Sequence, residues 1–364
     1  MSNLHAVAAA GQSVWSDQIS RRMLDSGELA RRIDEDAVTG VTSNPSIFAK
    51  AIVGSDDYAD QLDELIGRDA GTKEIVGALM TSDLQRACEA LLPVWESTGG
   101  RDGHVSVEVD PELAHETDQS IAEAREWVKR IDRPNLLVKI PATRAGIPAI
   151  AALIGEGISV NVTLIFSLER YREVMDAYMT GLETYRSVGG DLASVASVAS
   201  FFVSRVDTEV DARLDEIGGE EAEELRGKVA IANALAAYDD FLHTFRGLRW
   251  EALAIGGARI QRPLWASTST KDPAYPDTMY VDALVAPHTV NTMPLETIDA
   301  YQDHGAARPD IFGPAEMSRA RVTLRRLADV GVDYDDVVQR LEDEGVDKFI
   351  GSWRDLLDDI EAQR

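Results

Sequence analysis

Short runs of β-branched and apolar residues alternate along the chain with longer stretches whose apolar positions recur at helical spacing. Eight of the short runs predict strands, over residues 13–17, 38–43, 104–109, 136–141, 158–166, 195–204, 262–267 and 281–286. The stretches 17–33, 72–95, 111–130, 167–188 and 220–245 predict amphipathic helices between them. Helix-length connections are what neighbouring parallel strands require. Eight strand–helix units therefore predict an α/β fold of the (β/α)8 TIM-barrel type. The connections after the second and sixth strands are long and helical, and two or three more helices are expected from Pro314 onward. No repeat, low-complexity tract or Pro/Gly/Ser-rich linker divides the chain. The expected organisation is one domain over 1–364, with the barrel at 12–295 and a helical extension at 296–364 packed on it.

The alternation inside the strands says more than their number. Val105, Val107 and Val109 share one face of their run, and Ser106, Glu108 and Asp110 share the other. Val160, Val162 and Leu164 likewise stand opposite Ser159, Asn161 and Thr163. A barrel strand turns one face to the surrounding helices and the other to the interior. The β-branched faces suit the helix layer, so the polar faces point inward, where such barrels build active sites near the C-terminal strand ends. A half-exposed antiparallel sheet would show the same alternation, but the helix-length connections weigh against it.

Lys139 is the most informative residue. It stands in the otherwise apolar run Leu136-Leu137-Val138-Lys139-Ile140-Pro141, and lysine is strongly depleted from buried positions. Three readings are open: snorkelling from an edge strand, structural pairing with a buried carboxylate, or action as an amine nucleophile. Burial and neighbouring cations lower a lysine pKa from its usual value of about 10.4, and a neutral amine can attack a ketone to form a Schiff base. Asp17, Asn44 and Glu108 fall at the ends of the first three expected strands. Each alone reads equally as a cap or turn residue. With Lys139 they occupy four consecutive strands at similar heights, which is the convergence a barrel enzyme needs. The fifth strand adds Asn161 and Thr163, and the sixth adds Ser200 and Arg205.

Charge narrows the choice of partner. Thirty-six Lys+Arg face 63 Asp+Glu, a net charge of −27. No basic stripe is present for a phosphate backbone or an anionic membrane, so neither nucleic acid nor membrane is an expected partner. An anionic small molecule would need a few cations gathered locally. Only seven of the 36 cations are lysines. Such a surface fits either salt adaptation or plain solvation. The single Cys88 lies in an amphipathic run, reads as a small buried residue and excludes a disulfide framework. The six histidines show no HxH or HExxH spacing, so a metal site built on histidine is not expected. No stretch reaches the roughly 18 apolar residues of a membrane span. The start lacks the features of a secretory signal, so a cytoplasmic location is expected.

Six ordered segments carry a resemblance. T-S-N-P-S at 42–46, V-S-V-E-V-D at 105–110, L-V-K-I-P-A-T at 137–143, N-V-T-L-I-F-S at 161–167, S-F-F-V-S-R-V-D at 200–207 and P-L-W-A-S-T-S-T-K at 263–271 resemble the transaldolase family, across residues 12–295. The resemblance implies a (β/α)8 barrel with cofactor-free Schiff-base chemistry in the non-oxidative pentose phosphate pathway. It implies Lys139 as the Schiff-base lysine, Asp17 and Glu108 as acid/base groups, and Thr163 as the holder of a catalytic water. It further implies Asn44 and Asn161 as contacts to a dihydroxyacetone moiety, Ser200 as a substrate-hydroxyl partner and Arg205 as a phosphate anchor. Many members of that family carry a second phosphate-binding arginine after the seventh strand. Here that stretch has none, and Lys271, or Arg262 at the strand start, is left to supply the charge.

The expected reaction is transfer of dihydroxyacetone from sedoheptulose 7-phosphate or fructose 6-phosphate to glyceraldehyde 3-phosphate or erythrose 4-phosphate. Two rivals stand beside it. One is a related fructose 6-phosphate aldolase releasing free dihydroxyacetone, a group that resembles this chain but usually has Gln where Glu108 stands. The other is a non-catalytic sugar-phosphate-binding barrel. The helical insertions near 51–100 and 208–256 read as barrel-packing helices, with a homodimer interface as the alternative use.

Overall fold

The structure, a computed structural model, describes residues 2–307 and 312–364. Eight parallel strands close into a barrel in chain order. They are β1 Gln12–Ser16, β2 Val38–Val41, β3 His104–Glu108, β4 Leu136–Pro141, β5 Val160–Ile165, β6 Ser197–Phe202, β7 Arg262–Ala266 and β8 Thr289–Met293. The TIM-barrel expectation is met. Val105, Val107, Val160 and Val162 pack into the core shared with the helices, while Ser106, Glu108, Asn161 and Thr163 are buried on the other face. The register places Glu108 beside Lys139 on β4 and Lys139 beside Asn161 on β5, so consecutive strands carry polar groups into one layer.

The eighth strand corrects the sequence reading. Residues 281–286 do not form a strand. Met279–Ala283 is a short helix, and Val281 and Val285 join an outer apolar cluster with Leu4, Val7, Val14 and Met293. A six-residue apolar run has no period that separates a buried helix from a strand. The true β8, Thr-Val-Asn-Thr-Met, is half polar and therefore reads weakly. Two expected helices are also divided. The first breaks at Gly27, whose φ of 75° interrupts helical geometry between Arg21–Asp25 and Glu28–Glu35. The 220–245 stretch breaks near Gly227, φ 64°, between Glu220–Glu223 and Val229–Thr244. The 111–130 stretch begins with a 3-10 turn, Pro111–Leu113, before the helix Thr117–Ile131.

Two long helices follow the barrel. Pro314–Asp329 packs on Val229–Thr244, where Arg321 bonds Asp239 and Asp240 at 2.8 and 2.6 Å. Tyr334–Glu361 crosses the C-terminal side of the barrel, touching β5 and the helix Pro45–Ile52. Ser46 Oγ donates to Ser352 Oγ at 2.6 Å, and Gly345 lies against Leu164 and Phe166. No helix among the described residues is long and apolar enough to cross a membrane.

The barrel interior is plugged at its N-terminal end. Asp102 accepts from Trp15 Nε1 and Thr39 Oγ1, both at 2.8 Å, and from Ser13 Oγ; it also pairs with Arg262. Trp15 can lie there because β2 offers Gly40. A Cβ at that position would sit 2.4 Å from the indole. Gly40→Ala should therefore destabilise the fold by about 1–3 kcal/mol through overpacking. Gly351→Ala, at an exposed helical glycine with open space around it, should instead stabilise by up to about 1 kcal/mol. Urea unfolding of both variants checks the contrast.

Candidate active site

Lys139 enters the interior from β4 and meets two partners. Its Nζ lies 3.3 Å from Glu108 Oε2 and donates to the Ser43 carbonyl oxygen at 3.2 Å. Lys139 is 5% exposed and Glu108 4%, so the pair is almost dry. The snorkelling reading is thereby excluded. The ammonium also lies 6.0 Å from the ring centroid of Phe349, on the helix that crosses the barrel.

A cavity of about 690 Å³ opens above this pair. Asp17, Asn44, Lys139, Thr163, Ser200, Arg205 and Lys271 all line it, which brings together seven of the nine expected site residues. Lys139, Thr163 and Ser200 come from β4, β5 and β6 themselves, and Asp17, Asn44, Arg205 and Lys271 from the segments that follow β1, β2, β6 and β7. The backbone N–H of Asp17 continues the β1–β8 ladder by donating to Met293 O at 2.8 Å, which fixes its carboxylate at the mouth. Asn44 caps the helix Pro45–Ile52, its Oδ1 accepting from Ile47 N at 3.0 Å; the cap and the cavity position coexist. Arg205 sits in the first turn of the helix Ser204–Ile217 and packs over the Phe202 ring at 5.0 Å.

Glu108 and Asn161 stand behind the cavity wall rather than on it. Asn161 Nδ2 donates to Ser106 Oγ at 3.0 Å, and its Oδ1 accepts from Ser200 Oγ at 2.7 Å. In this structure Asn161 thus orients Ser200. Thr163 Oγ1 is buried with no hydrogen-bond partner among the described residues. Leu164 and Ser267, just beyond the inward residues of β5 and β7, hold left-handed φ values of 58° and 57°. Non-glycine residues in that region cost about 1–3 kcal/mol and concentrate at functional sites.

The electrostatics divide the two acids from the cations. Burial pushes the Asp17 carboxyl up from its ordinary 3.8 to about 6, against the pull of Lys139, Lys271, Lys50 and Arg205. Burial also raises Glu108, opposed chiefly by Lys139. It lowers Arg205 and Lys271, and the Arg205 charge lowers Lys271 further. Both acids are thus poised to exchange protons nearer neutrality than free carboxylates do.

One expected cation is not in the site. Arg262 begins β7, and its guanidinium is buried at the opposite end of the barrel, donating to Ser13 Oγ at 2.6 Å and to Arg101 O at 3.0 Å. A residue at a strand start faces the N-terminal mouth, so it cannot serve the C-terminal one. Lys271 is on the cavity wall but exposed, donating to Ser269 Oγ at 2.7 Å. Sequence reasoning missed Lys50, Thr292 and Phe349, which also line the cavity. The scarcity of lysine could have flagged Lys50, only six residues beyond Asn44. No local pattern marks Phe349.

The chain matches the family model described as Transaldolase/Fructose-6-phosphate aldolase over residues 14–360. It is similar to a protein named Transaldolase from Mycobacterium tuberculosis (strain ATCC 25618 / H37Rv), 54% identical over 362 residues, covering 99% of this chain and 96% of that one. It is equally similar to a Transaldolase from Mycobacterium ulcerans (strain Agy99), 54% identical over 363 residues, with 99% and 97% covered. A Transaldolase 1 from Streptomyces avermitilis is 53% identical over 358 residues, with 98% and 94% covered.

The raised Asp17 carboxyl has a thermodynamic signature. Its protonated form is favoured in the folded state, so its contribution to stability is full below pH 3.8 and is lost as pH rises through about 6. Asp17→Asn removes that dependence. The stability of the variant relative to wild type should climb between about pH 4 and 7 by on the order of 1–3 kcal/mol. Denaturant unfolding across that range tests it; a flat difference would contradict the burial effect.

Proposed function

The chain belongs to the transaldolase/fructose-6-phosphate aldolase family, and on that premise we propose that it is a transaldolase working through a Schiff base on Lys139. The observation that carries the residue-level reading is the single buried amine held against Glu108 beneath a cavity rimmed by Arg205, Lys50 and Lys271. A nucleophile, two raised acids and a phosphate-sized cationic rim are the parts the reaction uses.

The chemistry follows from those positions. The Lys139 amine, its proton passed to Glu108, attacks the C2 carbonyl of a ketose phosphate such as fructose 6-phosphate or sedoheptulose 7-phosphate. Glu108, through a water held by Thr163, returns a proton to the departing C2 oxygen, and loss of water gives the protonated imine. Asp17 removes the C4-hydroxyl proton, and the C3–C4 bond breaks. Its electrons move into the imine and leave a three-carbon enamine on Lys139. The first aldehyde departs; an acceptor aldehyde such as erythrose 4-phosphate or glyceraldehyde 3-phosphate takes the enamine carbon, and Asp17 returns its proton. Hydrolysis of the new imine frees the product and restores the amine. The imine itself is the electron sink, so the steps call on no cofactor. Ser200, oriented by Asn161, and Asn44 hold the hydroxyls of the transferred unit. Arg205 grips the phosphate through paired hydrogen bonds, with Lys271 adding charge. Because the C-terminal helix carries Phe349 to the cavity, we read the barrel and its extension as one functional unit, in the cytoplasm.

A coupled assay supplying fructose 6-phosphate with and without erythrose 4-phosphate tests the reading. Turnover should require the acceptor, and free dihydroxyacetone should not accumulate; release of dihydroxyacetone at a comparable rate would instead identify an aldolase. Glu108→Gln should lower kcat by roughly 10²–10⁴-fold with little change in substrate binding.

A further inference from the structure

The barrel has a second mouth. At the N-terminal ends of the strands a cavity of about 380 Å³ opens, on the far side of the Trp15 plug from Lys139. Its floor is the buried guanidinium of Arg262 and the ring of His104, which lie 6.0 and 6.2 Å from the Trp15 ring. Leu137 and Val198 give it an apolar wall, and Arg101 and Arg259 stand at its rim.

The charges of these groups are unequal. Asp102 pairs with Arg262 at 3.4 Å, so the floor is compensated. Burial pushes His104 down to about 4, so it is neutral at physiological pH. Arg101 and Arg259 differ. Neither has a carboxylate within 4.0 Å among the described residues, in a chain with 63 acidic side chains. Other arginines, among them Arg130, Arg144, Arg186, Arg246 and Arg325, also lack an ion pair among the described residues, but Arg101 and Arg259 are brought together on one cavity. The local backbone also makes room for the unpaired charge. Gly100 adopts a φ of 76°, and a Cβ there would lie 2.6 Å from Arg259 Nη1. The Arg101 carbonyl is tied to the floor by Arg262 at 3.0 Å, which fixes the rim loop in place.

Two guanidinium groups without counter-ions among the described residues, above a partly apolar pocket of ligand size, form a receptor for an anion carried on a compact carbon body. We propose that this lower mouth is a binding site for a small organic phosphate monoester, held by Arg101 and Arg259 and separate from the sugar-phosphate cavity above. The site does not depend on the transaldolase reading, because its occupancy is measured directly.

Phenyl phosphate is the probe, with phenol as its uncharged counterpart, and calorimetric titration of the full chain is the measurement. Wild type should show a binding class that Arg101→Gln/Arg259→Gln weakens at least tenfold while kcat/KM for the transfer reaction is unchanged. Arg205→Gln should leave that class intact. Arg101 is exposed, so the single Arg101→Gln variant, expected to weaken binding several-fold, serves if the double variant folds poorly. The proposal is overturned if wild type shows no binding beyond what Arg205→Gln removes, if the rim variants bind as wild type does, or if phenol binds as well as phenyl phosphate.

Discussion

Two opposite charges, Lys139 and Glu108, lie 3.3 Å apart with almost no access to water. At an effective dielectric of 20 their attraction is worth about 5 kcal/mol, and removing each ion from water costs several kcal/mol. The pair is therefore close to neutral for stability by itself, and the rest of the barrel has to hold it. The closed strand order sets Glu108 beside Lys139, and valines on the outward face lock β3 and β5 to the helix layer. The Ser43 carbonyl accepts a hydrogen bond from the Lys139 ammonium, and the Phe349 ring lies 6.0 Å from it. The same dryness that makes the pair expensive raises Glu108 and Asp17 toward the range where carboxylates exchange protons in neutral solution.

The net charge of −27 is distributed around this constraint. Outer helices pair acids with arginine, as at Arg31 with Glu35 or Arg340 with Glu344. Exposed pairs of this kind contribute little to stability each and chiefly keep the surface solvated. The upper mouth reverses the sign locally. Arg22, Lys50, Lys139, Arg205 and Lys271 line one cavity against the acids Asp17, Glu28 and Glu296, so an anionic sugar phosphate meets a locally cationic mouth on an acidic protein.

Much of this was legible in the sequence because the same alternation that builds the strands also aims the chemistry. Val105 and Val107 outward mean Ser106 and Glu108 inward. A lysine inside the apolar run 136–141 is a charge that only snorkelling, pairing or chemistry can accommodate. Asp17 and Asn44 stand at the ends of expected strands, and Thr163 on the polar face of the fifth. What was not legible came from elements without a local signature. The half-polar β8 was displaced by the more apolar 281–286 run. Of the two cations left open for the second phosphate charge, Lys271 and Arg262, the strand-start position of Arg262 assigns it to the other mouth. Phe349 reaches the cavity only because the helix Tyr334–Glu361, which begins 41 residues beyond the end of β8, folds back across the barrel, a docking that no periodicity encodes. Asn161 turned out to act on Ser200 from behind the cavity wall, a distinction of one layer that strand alternation does not resolve.

Lys139, and no other residue, is expected to become covalently bonded to the transferred carbons. Borohydride reduction in the presence of fructose 6-phosphate, followed by peptide mass mapping, tests it most directly. The predicted result is one added dihydroxyacetone-derived group per chain, located on Lys139 and lost in Lys139→Ala together with activity. An active wild-type protein that gives no adduct, an adduct on another lysine, or full activity in Lys139→Ala would contradict it.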